Sequence, residues 1–320
     1  MSDFTAALDK LAARLGGAAE NARRLSGGAS QETWSFDVAG EGYILRRAPG
    51  GVAMASANAI GLAKEAEVIR AAHKAGAPAP DVVLECEEGD SLGPGYVMRR
   101  LAGETIARKI LRDAAFAQAR PVLARQCGEA LARIHAIDGV DLPSVDAGEQ
   151  LARYEELYRS FETDRPIFEL AIQELKKRIP PPVPLKTLHG DFRLGNLMID
   201  ANGLVAALDW ELAHIGDPAE DMGWICTPSW RFSEFQNPVG GFGEVEDMLA
   251  GYRAAGGDPA IDEARVRFWT MLGSLKWGIM CLTMYRAYET GMDASVERAA
   301  IGRRASECEL DLVLMMQGKL

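Results

Sequence analysis

His189, Gly190 and Asp191 are followed by Asn196, and a little further on by Asp209, Trp210 and Glu211. A carboxylate, an amide and a second carboxylate in that order could supply phosphoryl transfer to a hydroxyl. That reaction needs a base for the hydroxyl proton and oxygen donors for the magnesium ion that travels with a nucleotide. Mg²⁺ is a hard cation that takes one or two protein oxygens and completes its shell with phosphate and water, so one Asn and one Asp suffice.

The elements that must position these groups are local. Leu197-Met198-Ile199 and Leu204-Val205-Ala206-Ala207-Leu208 are short apolar runs on either side of Asp200-Ala201-Asn202-Gly203. Asn-Gly tolerates positive φ at both positions, so the segment predicts a β-hairpin. Asn196 then precedes the first strand and Asp209 follows the second, and antiparallel pairing brings those two ends together. Asp191 lies on the loop leading in. Singly, each would pass for an ordinary turn residue; the combination around one hairpin points to chemistry. His189 is expected to shape the loop by hydrogen bonding, and His214 to be an ordinary loop or helix residue.

The aspartate-to-asparagine step equals that of the protein-kinase catalytic loop, H-R-D-x-x-x-x-N. The fuller string, Leu188-His189-Gly190-Asp191-Phe192-Arg193-Leu194-Gly195-Asn196-Leu197, then Leu208-Asp209-Trp210-Glu211 and Gly216-Asp217-Pro218-Ala219-Glu220-Asp221, resembles the aminoglycoside phosphotransferase (APH)/choline-kinase-like family. It looks closest to the branch that includes the kinase-like domains of some acyl-CoA dehydrogenases. The resemblance runs from about Leu25 to the C-terminal helices. It implies an α+β, bilobal protein-kinase-like fold: a small antiparallel β lobe over residues 1–101 that binds nucleotide, and a larger, mainly helical catalytic and substrate-binding lobe over residues 102–320. It also implies Asp191 as catalytic base, Asn196 and Asp209 as Mg²⁺ ligands, ATP as donor with GTP used by some relatives, and Asp217 and Asp221 as braces of the loop.

The N-terminal third fits such a lobe. Thr33–Val38 and Tyr43–Arg46 read as two strands around a Gly-containing turn. Ser26 to Gln31 lies where the resembling fold covers the phosphates, and Gly27, Gly28 and Ser30 are small residues whose N–H groups could approach them. This is not a Walker A motif, nor G-x-G-x-x-G. Leu62 to Lys74 predicts an amphipathic helix with Leu62, Glu65, Ala66 and Ile69 on one face and Glu67 on the other. A carboxylate on the buried face needs a partner. The resemblance supplies one on the third strand, where Arg46 stands in place of the commoner lysine; Arg47 belongs to the opposite face of the strand. The resemblance also implies a hinge after the strand Tyr96–Met98, with the backbone of Arg99 to Leu101 holding adenine.

Composition sets wider limits. The 320 residues are 48% apolar and 25% charged, with a net charge of −11. That length buries a large core, and the negative charge disfavours nucleic acid and anionic membranes. The five cysteines are scattered and form no C-x-x-C pair, which suits free thiols in a reducing, cytoplasmic setting. The N-terminus reads as a helix rather than a signal peptide, and the apolar stretch Phe268 to Tyr285 carries Lys276 at its middle, as a core helix and not a membrane span would. The expected partner is a small hydroxylated substrate, with the chain a monomer or homodimer.

For the acceptor, Trp230 and Arg231 are the expected contacts in the Trp/Phe-rich segment after the motif, with Trp224 and Phe232 assigned to core packing. Arg231, Arg265, Arg267, Lys276 and Arg286 give that region a basic cast. This favours an anionic or amphipathic hydroxylated metabolite, and the resemblance suggests a hydroxyacyl compound. The alternatives are an aminoglycoside 3′-type antibiotic kinase, which calls for an acidic pocket; a nucleotide-binding pseudokinase, whose one support is Arg46; and a metal-dependent hydrolase built on His189, Asp191, Asp209, Asp217 and His214.

Overall fold

Thr33–Val38 falls in an inner strand of a five-stranded antiparallel sheet in a computed structural model describing residues 2–25, 31–51 and 59–320. The strands are β1 (Glu20–Arg24), β2 (Glu32–Val38), β3 (Glu41–Arg47), β4 (Val82–Glu85) and β5 (Gly95–Arg99), in the order β1-β2-β3-β5-β4. Ala39 and Gly40 join β2 to β3 with φ of 50° and 84°, the paired positive values of a tight hairpin turn. Gly27, Gly28 and Ser30 lie outside the described residues.

Strand alternation sorts the sheet's two faces. Phe36, Val38, Leu45 and Val97 bury on one side against Leu8 and Leu11 of helix α1 (Ser2–Ala13). Arg47 points the same way: it bonds Glu32 and lies 4.8 Å from the Phe4 ring centre. Tyr96 belongs to the other face, with Leu62, Ala66 and Ile69 of helix α2 (Leu62–Lys74). Helix α2 has Glu65 buried and Glu67 half-exposed, the division its periodicity predicts.

Beyond β5 the chain is mainly helical: α3 (Ala107–Arg112), α4 (Arg120–His135), α5 (Ala147–Arg159), α6 (Pro166–Lys177), α7 (Ala219–Cys226), α8 (Val245–Ala254), α9 (Glu263–Glu289), α10 (Val296–Gly302) and α11 (Ala305–Met316). Two small antiparallel pairs interrupt them, β6 (Lys186–Leu188) with β9 (His214–Gly216), and β7 (Leu197–Asp200) with β8 (Gly203–Ala207). The β7–β8 pair is the hairpin that the Asn-Gly turn predicts. It is tied to the first part of the chain by main-chain bonds: Glu104 and Ile199 exchange N–H···O contacts of 2.8 and 2.9 Å, and Ala207 N–H donates to Pro78 O at 2.7 Å. Helix α9 packs against α7, and residues from Arg265 to Leu282 are buried along most of its length, which explains its apolar character without a membrane. Among the described residues no helix is long and apolar enough to cross one.

Candidate active site

Hairpin pairing does what the motif requires. Leu197 faces Ala207, and Leu208 N–H donates to Asn196 O at 2.8 Å, so the ladder runs one step past β7 and sets Asn196 beside the residue before Asp209. Asp209 has φ +68°, a left-handed backbone that aspartate tolerates better than most residues and that recurs at functional sites. Trp210 beneath it is fully buried, its indole N–H on Ala207 O at 3.0 Å.

The loop before the hairpin is built around Asp191. Its Oδ2 accepts from Asn196 Nδ2 at 2.6 Å; its Oδ1 accepts from Trp224 Nε1 at 2.6 Å and Arg193 Nε at 3.0 Å. Gly190 has φ +81°, and a Cβ there would lie 2.1 Å from Leu212 O, so only glycine fits the turn into Asp191. Asp191 N–H donates to His189 Nδ1 at 3.2 Å. That leaves the proton on Nε2, and burial pulls the His189 pKa below its usual value, so the ring is a neutral shaper of the loop.

Asp221, at the start of α7, holds the loop backbone. Its two oxygens accept from His189 N–H at 2.8 Å and Gly190 N–H at 2.9 Å, and His135 Nε2 stands 3.3 Å away. Burial opposes the Asp221 charge, yet His135 and these bonds keep its pKa below the ordinary carboxylate value. Asp217 acts elsewhere. It accepts from Ala219 N–H, Arg265 Nε and Trp269 Nε1, which anchors α7 to α9; the loop-bracing role expected of it belongs to Asp221.

From the sheet, Arg46 reaches the second carboxylate. Its guanidinium hydrogen-bonds Asp209 Oδ1, with Glu211 Oε2 and Glu65 Oε1 each 3.4 Å away. Burial disfavours the Arg46 charge, but Glu65 and Asp209 outweigh it and raise the pKa further. For Glu65 burial wins: its carboxyl is pushed up to about 7 although Arg46 pulls the other way. Arg46 and Glu65, 19 positions apart in the sequence, thus meet as the buried-face argument requires. Of the expected hinge amides, Arg99 N–H donates to Asp81 O and Arg100 N–H to Gly42 O, while Leu101 N–H meets no acceptor among the described residues.

Several expected acceptor contacts fall elsewhere. Arg231 is buried and donates to Cys226 O and Phe235 O, capping the carbonyl end of α7 and the following loop. Arg265 is spent on Asp217 and Pro181 O, and Arg267 on Glu263. Lys276 is buried with its Nζ 3.5 Å from Glu220 and 4.8 Å from the Trp224 ring centre. Glu220 in turn accepts from Gln150 and lies 3.1 Å from His214 Nε2, which places His214 in a buried ionic network. Trp224 is core, as its type suggested, but its indole N–H also grips Asp191. Among the described residues no three His, Cys, Asp or Glu side chains group as a metal cage.

A sheet lying against a helical body, with Asp191, Asn196 and Asp209 beside their junction, defines a protein of the kinase-like class. Solved structures agree on the fold. A Ralstonia eutropha JMP134 protein assigned as an aminoglycoside phosphotransferase superposes with a TM-score of 0.77 at 21% identity, covering 97% of this chain and 98% of that one. A choline/ethanolamine kinase family protein from Mesorhizobium loti gives 0.67 at 20% identity, over 97% and 95% of the two chains. The sequence pattern of the phosphotransferase enzyme family (APH) matches residues 21–269, and the chain belongs to that family. Among curated proteins it is similar to acyl-CoA dehydrogenase family member 10 of Mus musculus, with 28% identity over 301 residues, 86% of this chain. It is also similar to acyl-CoA dehydrogenase family member 11 of Gallus gallus, with 29% identity over 217 residues, 63% of this chain. The aligned regions span 27% of the length of each of those two relatives.

Proposed function

We propose that this phosphotransferase transfers the terminal phosphoryl group of ATP to a hydroxyl of a small metabolite, with residues 1–101 as the nucleotide-binding lobe and 102–320 as the catalytic lobe. The observation that carries the reading is the convergence on one hairpin of Asp191, Asn196 and Asp209, with Arg46 reaching Asp209 from the sheet and Glu65 of α2 lying beside Arg46.

Asp191 is the base. A carboxylate has about four lone-pair positions, and three are taken by Trp224, Arg193 and Asn196. The remaining one, on Oδ2, is where an acceptor hydroxyl would bond and leave its proton. Arg46, charged and set among Glu65, Asp209 and Glu211, would offer N–H groups to phosphate oxygens. Leu101 N–H is the hinge amide left for adenine. The donor set of Asn196 and Asp209, an amide and a carboxylate oxygen, suits Mg²⁺ held jointly with phosphates. When bound there, the ion would offset charge on the transferring phosphoryl group. The chain's own contribution is positioning and electrostatics.

The acceptor reading is a hydroxyacyl compound, supported by the likeness to acyl-CoA dehydrogenase family members. One solved relative in a ternary complex holds AMP-PNP and hygromycin B, which keeps an antibiotic acceptor in the test. The test is Mg²⁺/ATP-dependent ADP formation across hydroxylated metabolites, acyl-CoAs and aminoglycosides. Asp191→Asn should bind nucleotide and lose turnover, and Asp209→Asn should lose Mg²⁺-dependent nucleotide binding. Wild-type turnover in the first variant, or unchanged binding in the second, would overturn these roles.

A further inference from the structure

We infer that Arg193 selects the acceptor, and that it recognises a negatively charged oxygen group carried by the same molecule as the reacting hydroxyl. The inference rests on the reading of Asp191 as base and adds to it a chemical class of substrate.

Arg193 is held in place from three sides. Its Nε donates to Asp191 Oδ1 at 3.0 Å, and its guanidinium carbon sits 4.5 Å from the Trp230 ring centre. Gly195 has φ +115°, and a Cβ there would come within 2.7 Å of Arg193 Nη1, so the loop leaves room for the guanidinium by having no side chain. Only Nε is engaged: among the described residues neither Nη meets an acceptor, and the side chain is 24% exposed. A stacked guanidinium with free Nη groups is a pre-oriented fork for a carboxylate or phosphate, which it can bind at two points. It shares no hydrogen bond or ion pair with Asp209, whose guanidinium partner is Arg46. Its platform, Trp230, packs on Trp224 and Trp277, ring centres 5.3 and 4.9 Å away, which puts it on the α7–α9 side of the base.

The surroundings offer donors and little else. Trp230 Nε1 and Trp277 Nε1 are buried without hydrogen-bond partners among the described residues. Lys276 lies against the Trp224 ring. The carboxylates nearby are already engaged, Asp191 by Trp224, Arg193 and Asn196, and Glu220 by His214, Gln150 and Lys276. A polyammonium acceptor would bring more donors to such a wall. An anion with an apolar body brings the missing lone pairs and packs on the indole faces.

Calorimetric titration of the full chain with 8-hydroxyoctanoate and with neutral 1,8-octanediol tests this. Wild type should bind the hydroxy acid about tenfold more tightly or better, the difference a charge-assisted contact makes. Arg193→Met should erase that preference while keeping its affinity for Mg²⁺ and AMP-PNP, which also reports that it is folded; Arg193→Lys, which keeps the charge but not the fork, should retain part of it. Equal response of wild type to both probes, none at all included, overturns the inference. So does an Arg193→Met variant that keeps the preference and loses AMP-PNP affinity, which would assign Arg193 to the phosphoryl group. Asp191→Asn separates the two readings. If it keeps ADP-forming turnover, the base assignment fails; if turnover is lost but wild type shows no preference, only the role of Arg193 fails.

Discussion

Trp224 donates its indole N–H to Asp191 Oδ1 at 2.6 Å, from the same short helix whose Asp221 accepts the backbone N–H groups of His189 and Gly190. Asp221 and Trp224 are three residues apart and so share a face of α7. One helical turn therefore clamps both the backbone of the loop and the carboxylate it carries.

The clamp predicts the behaviour of Trp224→Phe. The ring's packing survives and the hydrogen bond to a charged group is lost, a change of about 1.5–3 kcal/mol. If that bond orients the base, ATP turnover should fall by about 10- to 100-fold with little change in the KM for ATP. Steady-state kinetics beside a melting curve check it. An unaltered kcat would mean that Trp224 serves packing alone.

Gly190→Ala tests the shape of the loop. The backbone is left-handed at +81°, and the new methyl would meet Leu212 O. The conformation alone costs about 1–2 kcal/mol for a residue with a Cβ, and relieving the clash must shift Asp191. Turnover should vanish, and urea denaturation should show a lowered midpoint. A variant with wild-type midpoint and activity would contradict the loop geometry.

His214 supplies a pH dependence. Its Nδ1 lies 3.0 Å from Leu212 O and its Nε2 3.1 Å from Glu220, both acceptors, so the cationic ring satisfies both. Burial opposes that charge, but Glu220 outweighs it, and the folded pKa is raised above the ordinary 6.5. Stability from a raised histidine is fully present below the ordinary value and lost as pH rises through the folded one. The advantage of wild type over His214→Gln in unfolding free energy should therefore shrink as the pH rises from the ordinary histidine range through the raised folded value. Urea titrations across that range measure it, and an advantage that stays flat or grows would refute the pairing.

Much of this arrangement was legible locally. The Asn-Gly turn specified the hairpin, and its pairing placed Asn196 next to Leu208. Helical periodicity put Glu65 on the buried face, and strand alternation divided Arg46 from Arg47. Partners across the fold were not legible. Arg231, an expected substrate contact, instead caps carbonyls at the end of α7, because a chain turning sharply there leaves Cys226 O without a helical donor. Asp217 and Asp221 stand in one motif, yet one faces α9 and the other the loop. The network of Glu220, His214, Gln150 and Lys276 draws on residues from β9, α5, α7 and α9, a grouping that no sequence period encodes.

By itself, the amino-acid order determined which groups could do chemistry and which face of its own element each would occupy. Those properties follow from backbone periods of two and 3.6 residues, and from turns a few residues long. Only the tertiary structure decided what each face meets: Arg46 against Asp209, Trp224 against Asp191, Lys276 beneath Trp224. Such contacts are set by how whole elements pack, since a buried charge or N–H takes whichever partner close packing delivers to it.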